Sequence, residues 1–301
     1  MGTKSLVYIA NQGNPNITDR TEEHITRSFV SQGWEVTLLR EEQASIALND
    51  QYDLLLIHHW NAHNRLNLIE RINAKIKVFW NFDKVWNRRD ITINENLSVC
   101  DYGFMVDGTW TVAQNNSKLY VLRQGVGQGL YNMGRGKYKP KQYPGKIAFT
   151  GNLYGNRIEW AKQINDRFHL DFICYENTHD RDLFDLCATV KIVVAPQYPC
   201  DDNYWGNRVY LILGAGGFLI HPYCAELAKE FVDGDEIVFY NDMNDLLRKI
   251  DFYLEAKHSQ LRETIQANGY KKMAQYTFNN RVKSLLEIIY DQSYHWKRFK
   301  V

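Results

Sequence analysis

The sequence lacks an excess of charge of either sign and any long apolar run. Among its 301 residues, 36 are basic and 35 are acidic, so no overall field favours nucleic acid or an anionic membrane as a partner. No apolar run approaches the ~20 residues that a membrane-spanning helix needs. The first residues, MGTKS, do not have the pattern of a signal peptide. We therefore expect a soluble, cytoplasmic protein without a membrane span.

Paired cysteines are also lacking. The five cysteines are odd in number and widely spaced, and no C-x-x-C pair occurs. This pattern is not that of a disulfide framework or of a zinc site made of cysteines. We expect reduced and mostly buried thiols, as in cytosolic proteins.

Several common catalytic motifs are absent. The sequence has no H-E-x-x-H, no P-loop lysine pattern and no G-x-S-x-G, which argues against the commonest metalloproteases, P-loop enzymes and serine hydrolases. The glycines of residues 125–129 do not fit a dinucleotide-binding strand–turn–helix unit. His58 and His59 are neighbours at the end of a predicted strand and point to opposite faces. We expect no metal site.

What the sequence does contain is a globular composition, with 45% hydrophobic and 24% charged residues, and a length sufficient for two domains. Short apolar runs alternate with helical patterns, which favours α/β architecture with parallel sheets covered on both faces. Thr21 is a candidate N-cap for the first helix. The predicted strands are 5–10, 34–39, 52–58, 77–80, 102–106, 119–124, 146–150, 170–175, 191–195, 217–221 and 236–240. The predicted helices are 21–32, 158–166, 180–188, 209–213, 243–255, 259–274 and 279–290.

Residues 135–146 are rich in glycine, proline and basic side chains, and they are the best candidate for a linker. We predict an N-terminal Rossmann-like domain of residues 1–134 and a C-terminal one of residues 147–278. Residues 279–301 would form a helix and tail that cross back to the first domain. Two such halves favour a ligand in the cleft between them.

Ligands of parallel α/β sheets bind beyond the carboxyl ends of the strands. The stretch FTGNLYGNR, residues 149–157, follows this rule, since Arg157 begins a helix after a strand and two glycines. Asn207 and Arg208 begin another helix. Guanidinium groups at such turns suit a phosphate or a diphosphate. The alternative is that each arginine forms an ordinary surface ion pair.

Further candidates lie beyond other strand ends. His59 could bind a substrate hydroxyl, or it could be a histidine hydrogen-bonded into its loop. Asp83 could take part in acid–base catalysis. Alternatively, Asp83 could cap a helix or pair with Lys84 or Arg88. Trp60, Tyr154 and Trp205 could stack on a base or a sugar, or belong to the core. The loop residues Asp201, Asp202 and Asn203 could contact a donor sugar or be solvated. The GAGG run, residues 214–217, could approach a ligand or allow close packing.

Four segments in order resemble the glycosyltransferase domain of the spore-maturation CgeB-type family, which is related to the family 4 retaining glycosyltransferases of GT-B fold. They are FTGNLYGNR, NRVYLILGAGGFLIHP, FVDGDEIVFYND and NGYKKMAQYTFNNRVKSLL. The resemblance spans most of residues 146–286. In the first half it is looser and rests mainly on FWNFD and LRQGVGQGLYN.

The resemblance implies a GT-B enzyme that transfers a sugar from a nucleoside diphosphate sugar to an acceptor hydroxyl, with retention and without a protein-bound metal. A UDP-sugar is the expected co-substrate, and no tightly bound cofactor is expected. The implied catalytic residues are His59, Asp83, Arg157 and Arg208. The donor-binding candidates are Gly13, Asn152, Tyr154, Arg157, Asp202, Asn203, Asn207, Arg208, Gly216, Gly217, His221 and Glu236.

The sequence departs from the family at two positions. Leu211 stands where a ribose-binding glutamate is expected, and Asn203 stands where related enzymes have another glutamate. Asp202 and Glu236 are possible substitutes. These departures leave open a rival function, that of a non-catalytic module that binds a nucleotide sugar or a glycan. A third possible function is that of a GT-B epimerase or phosphorylase.

The sequence does not identify the acceptor, which could be a glycan, a small molecule, a protein or a modified base in DNA. Basic residues of the linker and tail could contact phosphates of nucleic acid, although a solvated linker and tail is the favoured interpretation. The basic residues are Arg135, Lys137, Lys139, Lys141, Lys146, Lys297, Arg298 and Lys300.

Overall fold

The computed structural model describes residues 3–11, 20–58, 66–86, 89–133, 139–175, 180–196 and 201–290. The strands are β1 Lys4–Ala10, β2 Trp34–Arg40, β3 Gln51–His58, β4 Asn73–Asn81, β5 Tyr102–Met105, β6 Leu119–Val121, β7 Ile147–Thr150, β8 Phe172–Tyr175, β9 Ile192–Val194, β10 Leu219–Pro222 and β11 Val238–Tyr240.

The α-helices are α1 Thr21–Ser31, α2 Leu66–Arg71, α3 Arg89–Val99, α4 Gly108–Ala113, α5 Gln128–Met133, α6 Arg157–Phe168, α7 Asp180–Thr189, α8 Arg208–Gly214, α9 Leu227–Glu230, α10 Met243–Leu254, α11 Ser259–Lys272 and α12 Phe278–Tyr290. Four 3₁₀ segments cover Glu41–Asn49, His169–Asp171, Ala256–His258 and Met273–Gln275.

The chain divides into two compact units. The first contains residues 1–124 together with 278–301, and the second contains residues 125–277. The predicted linker, residues 135–146, lies partly outside the described residues, and its boundaries stay a prediction.

The first unit is built on a six-stranded sheet of order β2-β1-β3-β4-β5-β6, and neighbouring strands pair in parallel. The central strand β3 contains the run Leu54–Ile57, in which every side chain is fully buried. A strand with apolar side chains on both faces can only be stable with a layer packed on each side. Each such side chain contributes about 1.5–3 kcal/mol of transfer free energy on burial.

The last helix, α12, belongs to the first unit. Its buried residues include Phe278, Val282 and Leu285, a spacing that places them on one face. The ring of Phe278 stacks on His24 of α1 at 6.1 Å between centroids, and the Ser28 hydroxyl of α1 donates to Asn279 Oδ1 at 2.7 Å. The predicted packing of the C-terminal helix on the first domain is therefore confirmed.

The second unit is built on a five-stranded parallel sheet of order β11-β10-β9-β7-β8. Its strands are short, and the members of β7, β9 and β10 are all buried. Helices cover this sheet as well. The prediction of α/β architecture with two parallel sheets is confirmed.

The predicted N-cap of α1 was wrong, and five helices, α2, α3, α4, α5 and α9, were not predicted. Thr21 is the first residue of α1, and the N-cap position is occupied by Arg20, which makes no capping hydrogen bond. Helix α3 was not predicted, because its sequence RDITINENLSV is too polar to show an apolar stripe. Ile93 and Leu97 are its buried residues in the core of the first unit, and the partly buried Val99 packs against the same core.

The described cysteines, Cys100, Cys174, Cys187 and Cys224, are all free thiols. Burial raises the pKa of the Cys100 thiol to about 12. Cys200 lies outside the described residues. In the segments that the structure covers, no helix is both long and apolar enough to cross a bilayer.

Candidate functional site

Arg208 lies across the carboxyl ends of two neighbouring strands of the second sheet. Its Nη1 donates to the carbonyl of Thr150, the last residue of β7, at 2.9 Å. Its Nη2 donates to the carbonyl of Pro196, just beyond β9, at 3.2 Å. These two bonds fix the guanidinium at the edge where parallel α/β sheets bind ligands.

Arg157, the first residue of α6, is only 6% exposed. Its Nη1 donates to the carbonyl of Asn152 at 3.2 Å, and the Tyr154 ring lies 4.2 Å from the guanidinium carbon. Its Nε is buried and has no hydrogen-bond partner among the residues that the structure describes. A buried donor without a partner is costly, and a ligand can satisfy it.

The two cations influence each other. Burial, assisted by the positive charge of Arg157, lowers the pKa of Arg208 to about 10. Burial also lowers the pKa of Arg157. Within the described ranges no carboxylate contributes to either value. Neither guanidinium therefore forms an ordinary surface ion pair with a carboxylate of the described residues, and both groups stay charged at neutral pH.

The loop between β7 and α6 owes its course to a glycine. Gly151 has φ +119°, and a Cβ at this position would come within 2.9 Å of Arg208 Nη1. A side chain here would be strained and would displace the guanidinium. The glycine of FTGNLYGNR thus allows the backbone to pass close to Arg208.

His221 lies at the carboxyl end of β10 and is 1% exposed. Its Nδ1 is 2.7 Å from the carbonyl oxygen of Pro222. Burial, opposed in part by this hydrogen bond and assisted by the charge of Arg208, lowers its pKa to about 4. His221 is therefore a neutral imidazole near Arg208 at neutral pH.

Two tyrosines of this cluster were not predicted from the sequence. The phenol of Tyr204 raises the pKa of both Arg157 and Arg208. The phenol of Tyr240, the last residue of β11, raises the pKa of Arg208. Tyr204 also forms a β-bridge with Asp201. A strand-end rule could have found Tyr240, whereas Tyr204 depends on how its loop folds.

Trp205, the predicted stacking residue, belongs to the core. It is 2% exposed, and its Nε1 donates to the Tyr210 hydroxyl at 2.9 Å. Tyr154, by contrast, is 42% exposed beside Arg157. Of the predicted stacking aromatics, Trp60 lies outside the described residues.

The predicted contact of Gly216 and Gly217 with the same ligand as Arg208 is wrong. These glycines follow α8 and precede β10, so they lie at the amino edge of the sheet, one helix length away. A helix of this size is roughly 10 Å long. A Cβ on Gly217 would meet Ile212 Cγ2 at 2.8 Å. The glycine therefore permits close helix–strand packing.

Glu236 is also placed at the amino edge, because it precedes β11. Its Oε2 accepts from the Val232 amide at 3.0 Å, and its Oε1 lies 3.4 Å from Lys272 Nζ. The carboxylate holds its own loop. The structure does not bring it to Arg208 as a substitute for a ribose-binding glutamate.

The remaining predicted residues of the second unit lie in the two loops at the carboxyl edge. Asn207 is the N-cap residue of α8, and its Oδ1 is buried without a described hydrogen-bond partner. The Asn203 amide donates to Asp201 Oδ1 at 2.9 Å. The carbonyl of Asp202 accepts from the Glu226 amide at 2.9 Å, and its side chain is exposed.

In the first unit, Asp83 follows β4, and its carbonyl accepts from Asn81 Nδ2 at 2.7 Å. The next helix begins six residues later, so Asp83 is not its N-cap. Gly13 and His59 lie outside the described residues. The neighbouring His58 is buried, and its Nδ1 lies 2.8 Å from the Tyr8 hydroxyl.

No group of His, Cys, Asp or Glu in the described segments is arranged to hold a metal ion; the expectation of metal-independence stays a prediction. Of the basic linker residues, Lys146 pairs with Asp171 at 2.8 Å, and Lys141 lies over the Tyr143 ring at 5.2 Å. The basic tail is outside the described residues.

Residues 141–287, just under half of the chain, match the family model described as Glycosyl transferase-like. No curated protein matches the chain in sequence. Several solved structures have a similar fold. A glycosyltransferase from Rickettsia africae is 11% identical, with a TM-score of 0.66 over 96% of this chain and 98% of that one.

Two similar structures contain nucleotide ligands. Anabaena HepE in complex with UDP and glucose has a TM-score of 0.62 at 11% identity, over 95% of this chain and 100% of that one. An alpha1,3-fucosyltransferase with GDP-fucose has a TM-score of 0.59 at 10% identity, over 97% and 92%. The fold of this chain is GT-B, and the family match of its second unit supports an enzyme of the glycosyltransferase class.

Proposed function

We propose that this protein transfers a sugar from a nucleoside diphosphate sugar to an acceptor hydroxyl, with the diphosphate bound by Arg157 and Arg208. The supporting observation is a pair of guanidinium groups at the carboxyl edge of the second sheet, buried in Arg157 and half-buried in Arg208, that have no carboxylate partner among the described residues. A diphosphate brings the compensating charge and acceptor oxygens for the open Nε of Arg157.

The same arrangement would support catalysis. Negative charge grows on the leaving diphosphate as the glycosidic bond breaks, so cations fixed before the reaction stabilise the transition state more than the ground state. Arg208 is held by two carbonyls and needs little reorganisation. We infer that catalysis is mainly electrostatic and positional.

Several of the similar structures were solved with UDP, UDP-glucose, GDP or GDP-fucose, and a UDP-sugar remains our proposed donor. We place the acceptor near Asp83 and His59, and we infer transfer with retention of configuration, as the proposed kinship with the CgeB-type family implies. NMR analysis of the product's anomeric proton tests retention: an inverted product would contradict it.

Thermal-shift and calorimetric titration with UDP, GDP, UDP-glucose and GDP-fucose tests the donor site. At a ligand concentration of 100 times Kd, binding stabilises the folded protein by about 2.7 kcal/mol. Arg208→Ala should abolish this shift. Arg167→Ala is a matched control, because Arg167 lies in α6 but pairs with Asp251 at the surface. No shift in the wild type with any of the four ligands would overturn the proposal.

A second candidate is a non-catalytic module that binds a nucleotide sugar. Leu211, one turn after Arg208 in α8, packs against the core and offers no hydrogen-bond acceptor to a ribose. Release of free nucleoside diphosphate from UDP-glucose or GDP-fucose would exclude this candidate. Binding without release, with any acceptor tested, would favour it.

If DNA is the acceptor, its target base must leave the stack, and affinity should fall steeply with added salt. Binding of a hydroxymethylated oligonucleotide that is insensitive to salt would exclude it.

A further inference from the structure

His221 has one ring nitrogen that is engaged by the backbone and one that is not. Its side chain is almost completely buried at the carboxyl end of β10. The Pro222 carbonyl can only accept a hydrogen bond, so Nδ1, at 2.7 Å, must be the donor. In a neutral imidazole the other nitrogen, Nε2, then has a lone pair and no proton.

The structure gives Nε2 no hydrogen-bond partner in the part of the chain that it describes. It is therefore a buried, fixed acceptor without a described partner. The positive charge of Arg208 and burial both oppose its protonation, and the pKa of about 4 keeps it an acceptor at neutral pH.

The chemistry of an acceptor selects its ligand group. The oxygens of a diphosphate ester are themselves acceptors at neutral pH, so they do not suit an unprotonated nitrogen. The hydrogen-bond donors that a nucleoside diphosphate sugar carries in its carbohydrate part are hydroxyl groups. The guanidinium groups of Arg157 and Arg208 therefore suit phosphate oxygens, whereas the Nε2 lone pair of His221, near Arg208, suits a hydroxyl.

We propose that His221 Nε2 accepts a hydrogen bond from a hydroxyl in the carbohydrate part of the nucleoside diphosphate sugar. His221 would thus recognise the sugar and not the phosphate. This proposal rests on the proposed donor site at Arg157 and Arg208. It assigns to His221 a specificity role that the cations cannot supply, because they bind any diphosphate.

Two variants separate the ring nitrogens. His221→Asn retains an N–H close to the position of Nδ1, for the Pro222 carbonyl, and removes the acceptor at Nε2. His221→Gln can place an oxygen near the position of Nε2. Each protein is titrated calorimetrically with inorganic pyrophosphate, uracil, UDP and UDP-glucose, with GDP and GDP-fucose as a second pair, and its unfolding without ligand is measured.

We expect His221→Asn to leave pyrophosphate affinity unchanged and to weaken the nucleotide sugar by about three- to tenfold, with recovery in His221→Gln. Weakening of UDP-glucose alone identifies a hydroxyl of the transferred sugar. Weakening of UDP as well, but not of uracil, identifies a ribose hydroxyl, and weakening of uracil as well identifies a donor of the base and overturns the proposal. Weakening of pyrophosphate, or no weakening of any ligand, overturns the proposal. If wild type binds none of them, the donor site itself is refuted.

A measurement on the wild type keeps the proposal testable if the variants fail to fold. With ¹⁵N-labelled histidine, Nε2 of His221 should show the resonance of an unprotonated nitrogen, and UDP-glucose should shift it without protonating it. Protonation of Nε2 on addition of pyrophosphate would show that the imidazole binds phosphate as a cation, which is the opposite of the proposed role.

Discussion

Replacement of Arg157 by methionine should change stability and ligand binding in opposite directions. Arg157→Met keeps an unbranched side chain of similar reach to pack beneath Tyr154, and it removes the buried charge and the orphaned Nε. If Arg157 were a structural residue, both properties would fall together. If it is kept for a ligand, the apo protein should not need it.

The magnitude follows from the contacts. The variant loses the hydrogen bond to the Asn152 carbonyl, at 3.2 Å, the side-chain hydrogen bond with Tyr154, and a cation–π contact with the same ring of about 0.5–1 kcal/mol. The variant no longer has to desolvate a cation whose pKa is lowered by burial. It is also relieved of an unsatisfied buried donor, which costs about 1–3 kcal/mol. We expect the free energy of unfolding to be unchanged or to rise by up to about 2 kcal/mol.

The direction in which the charge of Arg157 changes folding stability with pH is consistent with this expectation. The pKa of Arg157 is lower in the folded protein than in the unfolded chain, so the folded state binds its proton less strongly. At every pH below the folded-state pKa, including neutral pH, the charged group therefore disfavours folding. The gain on removal should be present throughout that range.

Ligand binding should fall in the same variant. A charge-assisted hydrogen bond to a phosphate is worth about 1.5–3 kcal/mol, so affinity for UDP or GDP should drop by about 10- to 150-fold. Urea unfolding of the apo protein and calorimetric titration measure the two quantities. Arg167→Met serves as the control, because its exposed pair with Asp251 should contribute at most ~1 kcal/mol and nothing to nucleotide affinity.

Two outcomes would refute the reasoning. A loss of more than about 2 kcal/mol of stability would show that Arg157 holds the fold, and unchanged nucleotide affinity would show that it does not touch the donor.

Three further substitutions test other parts of the structure. Gly151→Ala, at φ +119° and 2.9 Å from Arg208 Nη1, should cost about 1–3 kcal/mol of stability and weaken UDP binding, as measured by thermal shift and calorimetry; unchanged binding would argue against the loop's role. Phe278→Ala should cost about 3–5 kcal/mol in urea unfolding, because the fully buried ring anchors α12; a loss below 1 kcal/mol would contradict that packing. Glu236→Gln should lower stability by about 1 kcal/mol and leave nucleotide affinity within twofold; a tenfold loss of affinity would place the donor at the amino edge instead.

The architecture was predictable because buried parallel strands appear in a sequence as continuous apolar runs. The run Leu54–Ile57 has no polar face, and such a strand requires covered sheets. Helix α3 was not predictable in the same way, because its position depends on a few apolar residues among polar ones. Tertiary packing supplies what its own pattern does not.

The positions of Arg157 and Arg208 followed from one rule, that strand-to-helix turns lie at the carboxyl edge. The same rule, applied to sequence order, excludes Gly216 and Glu236, which precede strands. The burial of Arg157, and the lack of a carboxylate partner for either arginine among the described residues, could not be predicted, since both depend on which loops come together. Tyr204 is an example, because its loop reaches both arginines through the fold alone.

The fixed charges of the second unit argue for a ligand with two phosphates over one with a single phosphate. Two nitrogens of Arg208 already donate to the carbonyls of Thr150 and Pro196. Arg157 has a buried Nε without a described partner. One phosphate could neutralise the repulsion between the cations only by sitting between them. Two linked phosphates can face one guanidinium each and relieve the desolvation of both. Pyrophosphate should therefore stabilise the protein more than orthophosphate at equal concentration, and equal shifts would assign the second arginine a structural role.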